Sequence, residues 1–185
     1  MKAILSFLIA VCSCGAAYST TMFMLGLQEL STGSEVIVQA KVTNIVTRWN
    51  RDSTAILTYV RMNIDESLCG ENADNEIIIQ QIGGQVGTRS LKVLGTTTYK
   101  VGDENILFLF KDPTNTTVYQ TVGLYQGKYR IFTDSRSVQR VAQDIDGKVI
   151  LCKSSADAGV IETGNNLSLE EFKAKVKTYL SEQSK

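Results

Sequence analysis

The chain has 185 residues, with 19 basic and 19 acidic side chains, one proline and no histidine. Its length suits one folded domain, and 43% apolar with 21% charged residues is typical of a globular protein. A net charge of zero argues against dedicated nucleic-acid binding, which needs excess Lys and Arg to neutralise phosphates. The lack of histidine excludes Ser-His-Asp and Cys-His catalysis and imidazole ligands for zinc.

Residues 1–19 have the pattern of an export signal. Lys2 provides a short positive region, and residues 3–11 form an apolar stretch of nine residues. A membrane-spanning helix needs about 20 residues, so this stretch is too short to be one. We therefore expect a secreted or periplasmic protein.

Two processing routes fit the small residues that follow the apolar stretch. Ala17 and Ser19 stand three and one residues before a cut at Thr20, which suits ordinary signal cleavage. Ser13 before Cys14 instead resembles a bacterial lipobox, in which Cys14 would become the acylated first residue. We favour release at Thr20. The alternative is a lipoprotein anchored through Cys14, and we expect membrane contact only in that case.

Two cysteines lie beyond the signal, Cys69 and Cys152. Such a pair in an oxidising compartment can form one disulfide. Two separate, partly buried thiols are the alternative, and both interpretations fit the sequence.

The body of the chain has the pattern of strands. Residues 20–33 predict a short helical segment, and alternating apolar residues begin at Val36. A shift of phase at Asn44 predicts a bulge or a sharp bend. A second long strand follows from Ile56 to Leu68, and shorter apolar runs occupy residues 76–82, 105–110, 118–124 and 128–132.

Turn residues separate these runs without helical segments between them, which indicates an all-β fold. We predict an OB-like antiparallel barrel of five or six strands in a domain of residues 34–152. The positions predicted to form its core are Val36, Val38, Ala40, Val42, Ile56, Val60, Met62, Ile64, Phe108 and Val122.

Residues 153–185 predict a loop followed by an amphipathic helix that packs on the barrel. Ser168 and Glu171 have the spacing of a capping box, which places the helix start. Apolar residues recur at helical spacing over residues 168–181, while Lys173, Lys175 and Lys177 are expected to face away.

No motif in the chain predicts catalysis, a cofactor or a metal site. The sequence Gly83-Gly84-Gln85-Val86-Gly87 has the glycines of a phosphate loop, but an extended segment follows, so a hairpin or a bulge is the better interpretation. Asp65 and Glu66 are neighbours on a predicted strand and project to opposite faces, so they do not form an acid–base pair.

Basic and aromatic residues cluster on the first two long strands and their connection. They are Arg48, Trp49, Arg51, Tyr59 and Arg61. Such a mixture occurs on surfaces that bind single-stranded nucleic acid, but the neutral, exported chain argues against that use. Ordinary cross-strand packing and a surface for a protein or a glycan remain as interpretations.

Residues 27–129 resemble an uncharacterised family of exported bacterial proteins. The similar segments are Leu27-x-Glu29-Leu30, Val36-x-Val38-x-Ala40-Lys41-Val42, Val101-Gly102-Asp103-Glu104 and Val122-Gly123-Leu124-x-Gln126-Gly127-Lys128-Tyr129. Some members of that family carry a matrixin-like metalloprotease or an anchoring module. Cys69 departs from the family pattern, which usually has Lys before the following glycine. The resemblance implies no established activity.

The same residues are distantly similar to the OB-type barrel of netrin modules and tissue inhibitors of metalloproteinases. The similarity lies in Val38-x-Ala40-Lys41-Val42 and in Val101-Gly102. It implies a barrel fold. Those inhibitors chelate zinc through an N-terminal Cys, and Cys14 would reach the N-terminus only by lipobox cleavage, which acylates it. The resemblance therefore implies the fold and not the inhibitory mechanism.

Together these observations predict an exported, non-catalytic binding or structural module that recognises a protein or a glycan. One alternative is a hydrolase that uses carboxylates alone, which would need two Asp or Glu side chains converging at roughly 5–9.5 Å. A regulatory domain associated with a metalloprotease is the other.

Overall fold

The computed structural model describes residues 20–70, 75–144, 149–152 and 161–183, and of residues 20–21 and 149–152 it describes the backbone alone. Two helices, α1 (Leu27–Thr32) and α2 (Leu169–Gln183), accompany a larger set of strands. The strands are β1 (Thr20–Phe23), β2 (Val36–Trp49), β3 (Ile56–Cys69), β4 (Glu76–Ile82), β5 (Gly84–Val86), β6 (Arg89–Leu91), β7 (Glu104–Asp112), β8 (Asn115–Thr121), β9 (Lys128–Thr133), β10 (Gln139–Gln143) and β11 (Val149–Cys152). The described chain is thus mostly β with two helices, as the sequence predicted.

Five strands form a closed ring of pairings. β2 is antiparallel to both β3 and β7, and β3 is antiparallel to β4. β8 closes the ring, because it is antiparallel to β7 and meets β4 in parallel at Ile79 and Tyr119. β9 and β10 extend the sheet outward from β7. β5 pairs with β6, and β1 pairs in parallel with β11.

Two features of the strand arrangement differ from the sequence prediction. The run at residues 128–132 forms β9, which lies outside the ring, and residues 20–33 contain β1 before α1. The periodicity of a four-residue segment carries little information, and β1 pairs with β11, which lies far along the chain. The predicted helix in this segment is α1.

The inside of the ring is filled by one apolar cluster from alternate positions of β2, β3, β4 and β7. Its buried members are Val36, Val38, Ala40, Val42, Val60, Met62, Ile77, Ile79, Leu107 and Leu109. The register of β2 against β3 shifts between Val42 and Asn44, which is the predicted bulge. Beyond the bulge, the side chains of Asn44, Val46 and Arg48 lie on the outer face.

A second apolar cluster lies between the other face of the sheet and the two helices. Its buried members are Leu27, Leu30, Ile37, Ile106, Phe108, Tyr129, Ile131, Val141, Leu169, Phe172 and Val176. Eight of the ten predicted core residues are buried, with Phe108 in this second cluster. Ile64 and Val122 are only partly buried and pack against the edges of the two clusters.

Helix α2 begins at the predicted capping box. The Glu171 amide donates to Ser168 Oγ at 3.3 Å, and the Ser168 amide donates to Glu171 Oε2 at 3.1 Å. Lys173 was predicted to face away from the protein and does not. It is 9% exposed, and its Nζ lies 2.7 Å from Glu66 Oε2, because its long stem packs beside the apolar cluster and carries the charge to β3.

Candidate binding groove

The outer face of the ring carries a groove of about 270 Å³ where β2, β3, β4 and β8 meet. We call it the outer groove. It is lined by Asn44, Val46, Arg48, Tyr59, Arg61, Ile78, Asn115, Thr117 and Val118.

The pairing of β2 with β3 places the lining residues in rows. Asn44 stands opposite Arg61, and Val46 stands opposite Tyr59, so these four side chains share one face of the sheet. Without the bulge after Val42, the alternation of β2 would turn this row towards the core. The bulge therefore turns Asn44, Val46 and Arg48 to the outer face of the ring.

Arg48 is held on the ring of Tyr59. Its guanidinium carbon lies 4.3 Å from the ring centroid. Within the described residues Arg48 forms no ion pair. A guanidinium stacked in this way keeps its charge and most of its N–H groups available at the edge of the plane.

Arg61 differs from Arg48 because it already has a counter-ion. Its Nη1 lies 2.5 Å from Glu76 Oε1, and both side chains are partly exposed. Of the two charged side chains that line the groove, Arg48 is the one with no opposite charge beside it in the described part of the chain.

Asp112 holds the β7–β8 turn that forms one rim of the groove. Its carboxylate accepts hydrogen bonds from the amide and hydroxyl of Thr114 at 2.7 and 2.6 Å and from the amide of Asn115 at 3.0 Å. The other carboxylate oxygen accepts from the side-chain amides of Gln80 and Gln120. These bonds, those from Thr114 first, hold the pKa of Asp112 below its usual value.

A smaller hollow of about 130 Å³ continues along β3 and β4 from the outer groove. Its lining includes Leu57, Gln80, Ile82 and Leu124. Leu57 is two residues from Tyr59 on β3, and Ile82 lies opposite Leu57 on β4. The two depressions therefore follow one another on the same face of the sheet. A third hollow, of about 300 Å³, lies beside β5 and β6. These two strands form an antiparallel hairpin, which confirms the hairpin interpretation of the glycine-rich segment.

The structure brings together three of the five residues that the sequence singled out, namely Arg48, Tyr59 and Arg61. Trp49 pairs with the buried Ile56 and so points to the opposite face, and Arg51 is exposed in the turn after β2. Neither lines the groove.

The other lining residues carry no recognisable motif. Asn44, Val46 and Ile78 become part of the site through the bulge and the strand register, and Asn115, Thr117 and Val118 arrive through β8. For these other lining residues, the phase shift at Asn44 was the signal in the sequence that pointed towards the row on β2.

Of the residues in the predicted disulfide and lipid site, the structure describes the side chain of Cys69, which does not line this groove. Cys69 is half-buried at the end of β3 and forms no disulfide within the described residues, and the side chain of Cys152 lies outside them. The bridge therefore stays a prediction. Cys14 and the whole predicted signal, residues 1–19, also lie outside the described ranges.

A buried lysine stands apart from the groove. Lys128 is 2% exposed, donates to the Thr98 carbonyl, and lies 4.7 Å from the ring centroid of Tyr99 and 3.4 Å from Asp144 Oδ2. Burial lowers the pKa of Lys128, while the partly exposed Asp144 opposes that effect. The lysine lines none of the three depressions, and we assign it a structural role in joining β9 to the loop before β7.

Within the described ranges no group of three or more Cys, Asp or Glu side chains could hold a metal ion, and no helix is long and apolar enough to cross a bilayer. No protein-family model matches the chain, and no significant relative was found among curated proteins.

Proposed function

We propose that this chain is an exported, non-catalytic binding module whose outer groove recognises a protein or a glycan. We also propose that its five-strand ring is an OB-like barrel. Barrels of that kind bind oligonucleotides and oligosaccharides on the face of their second and third strands, with the loops that join strands one to two and four to five. The position of the outer groove on β3 and β4 beside the β7–β8 turn supports this proposal.

The observation that carries the proposal is the combination of groups in the outer groove. It offers a stacked arginine that has no ion pair among the described residues, together with side-chain amides, hydroxyls and aliphatic side chains. A few placed polar groups in a mainly apolar depression are typical of binding sites. The signal pattern of residues 1–19 supports export, and the neutral charge supports a protein or glycan partner over nucleic acid.

The three depressions favour binding over the carboxylate hydrolase. Such an enzyme needs two Asp or Glu side chains facing a cleft at roughly 5–9.5 Å from each other. The linings of these three depressions contain neutral and basic side chains and no Asp or Glu.

A pull-down from the native envelope and culture fluid tests this proposal. The bait is the full chain with a C-terminal tag, compared with Val46→Glu in the groove and Val138→Glu beside β10. Both valines are exposed, 47% and 38%, so both variants should fold. We expect the same partner with wild type and Val138→Glu, and at least about tenfold less of it with Val46→Glu. Absence of a specific partner, or equal recovery by both variants, would contradict the proposal.

A further inference from the structure

The charges of the outer groove are unbalanced in a specific way. Arg61 is neutralised by Glu76, whereas Arg48 has its guanidinium fixed over Tyr59 and no carboxylate beside it in the described residues. A planar guanidinium with free edges matches a carboxylate, which it can bind with two parallel hydrogen bonds. Because the stack also fixes the arginine in place, less side-chain entropy is lost when such a ligand binds.

The base of the groove is aliphatic rather than aromatic. Val46 is 47% exposed, and Ile78 and Val118 line the same depression. Sugar rings in proteins commonly stack on open aromatic faces, but a face of Tyr59 is occupied by Arg48. Apolar side chains of a peptide fit this lining better than the hydroxyl-rich surface of a glycan.

The apolar lining continues beyond the outer groove. Leu57, Ile82 and Leu124 line the next hollow, and the last two are 44% and 39% exposed. Arg48 stands directly opposite Leu57 on β3, and Leu57 stands opposite Ile82 on β4, so Arg48 and Ile82 are two strand spacings apart. That distance is about 10 Å, the length of about three residues of extended peptide.

We propose that the outer groove binds an extended peptide segment of a protein partner, with an Asp or Glu on Arg48 and aliphatic side chains in the neighbouring hollow. This inference rests on the proposed function, whose partner class it narrows from protein or glycan to an acidic and aliphatic peptide.

Selection from a phage-displayed library of random 12-residue peptides tests the inference, with the tagged full chain as the target. We expect the enriched peptides to have a common motif, which is an Asp or Glu and an aliphatic residue within four positions of it. A synthetic copy of one such peptide should lose at least about tenfold in affinity when its acidic residue becomes the amide. Arg48→Gln should cause the same loss, and the two changes together should add little further.

Arg51→Gln is the matched control, because Arg51 is an exposed arginine close in sequence but outside the groove. It should change the affinity by less than about twofold. Failure to enrich an acidic motif, or equal affinity of Arg48→Gln and wild type, would overturn the inference.

A parallel arm with uronic acid oligosaccharides separates this inference from the proposed function. Binding of these sugars that depends on Arg48, without peptide binding, would overturn the peptide assignment and leave the binding groove intact. If Val46→Glu binds both the peptide and the sugars as tightly as wild type does, that result would count against the inference and the proposed function alike.

Discussion

Asp112 joins a turn and two strands through a single carboxylate beside the outer groove. It is 4% exposed and accepts hydrogen bonds from the turn at Thr114 and Asn115 and from the side chains of Gln80 and Gln120. A buried carboxylate with this many donors keeps the rim of the groove in one conformation.

We predict that Asp112→Asn lowers the free energy of unfolding by about 1–3 kcal/mol near neutral pH. The new N–H₂ group of the asparagine would face the side-chain N–H₂ groups of Gln80 and Gln120, and two donors cannot form a hydrogen bond with each other. The pKa of Asp112 in the folded protein lies below its ordinary value of 3.8. Its stabilising effect is therefore present above that value and is lost as pH falls through the folded pKa. Urea unfolding of both proteins over a pH series should show the difference shrinking in acid.

The matched control for this carboxylate is Asp65→Asn, an exposed Asp on β3. It should change stability by less than about 0.5 kcal/mol. A difference between Asp112→Asn and wild type that stays constant down to the most acid condition would contradict the assignment.

Gly84 is required at the start of the β5–β6 hairpin. Its φ is +128°, and a Cβ there would lie 2.5 Å from both Thr47 Cγ2 and Thr58 Oγ1. We predict that Gly84→Ala lowers the free energy of unfolding by about 2–3 kcal/mol. Gly87 also has a positive φ, but a Cβ there would meet nothing within 4 Å. Gly87→Ala should therefore lower the free energy of unfolding by only about 1 kcal/mol. Chemical denaturation of both variants measures the difference, and equal losses would contradict this packing argument.

At the scale of elements, helix α2 closes the second apolar cluster. Phe172 contacts the rings of Tyr129 and Phe108, with centroid distances of 4.6 and 6.2 Å. We predict that Phe172→Ala lowers the free energy of unfolding by about 3–5 kcal/mol, whereas Lys177→Ala, at an exposed ion pair, costs less than about 1 kcal/mol. Equilibrium unfolding monitored by far-UV circular dichroism provides both values. Similar costs for the two variants would show that α2 does not stabilise the cluster as described.

The strands of the ring could be predicted because their inner faces alternate, and β2 shows where that signal ends. Val36, Val38, Ala40 and Val42 were predicted to be buried and are. Ile37 points to the opposite face of the same strand and is 0% exposed, because α1 and α2 cover that face. A strand that is buried on both faces no longer alternates between apolar and polar residues, so the sequence alone did not reveal the second cluster.

The groove depended even more on tertiary structure. Arg48, Tyr59 and Arg61 stood out as residue types, and register against β3 decided that they share a face while Trp49 does not. The residues that β8 contributes enter through one parallel contact with β4. Pairing between distant strands leaves no local pattern in the sequence.

For the whole molecule, the processing of the predicted signal remains a prediction. The described residues of β1, Thr20–Phe23, pair with β11, and cleavage before Thr20 would retain all four of them. We expect the exported protein to start at Thr20 or nearby, which intact-mass measurement on native material determines. A mass that starts at Cys14 and includes acyl chains would instead establish the lipoprotein route.

The most direct test of the binding groove is site-specific photo-cross-linking in the producing cells. A photoreactive amino acid replaces Val46 in the groove or Val138 beside β10, both of which are exposed. We predict that position 46 yields one discrete adduct with a partner and that position 138 yields none, because only the former lines the outer groove. No adduct at position 46, or the same adduct at both positions, would contradict the account.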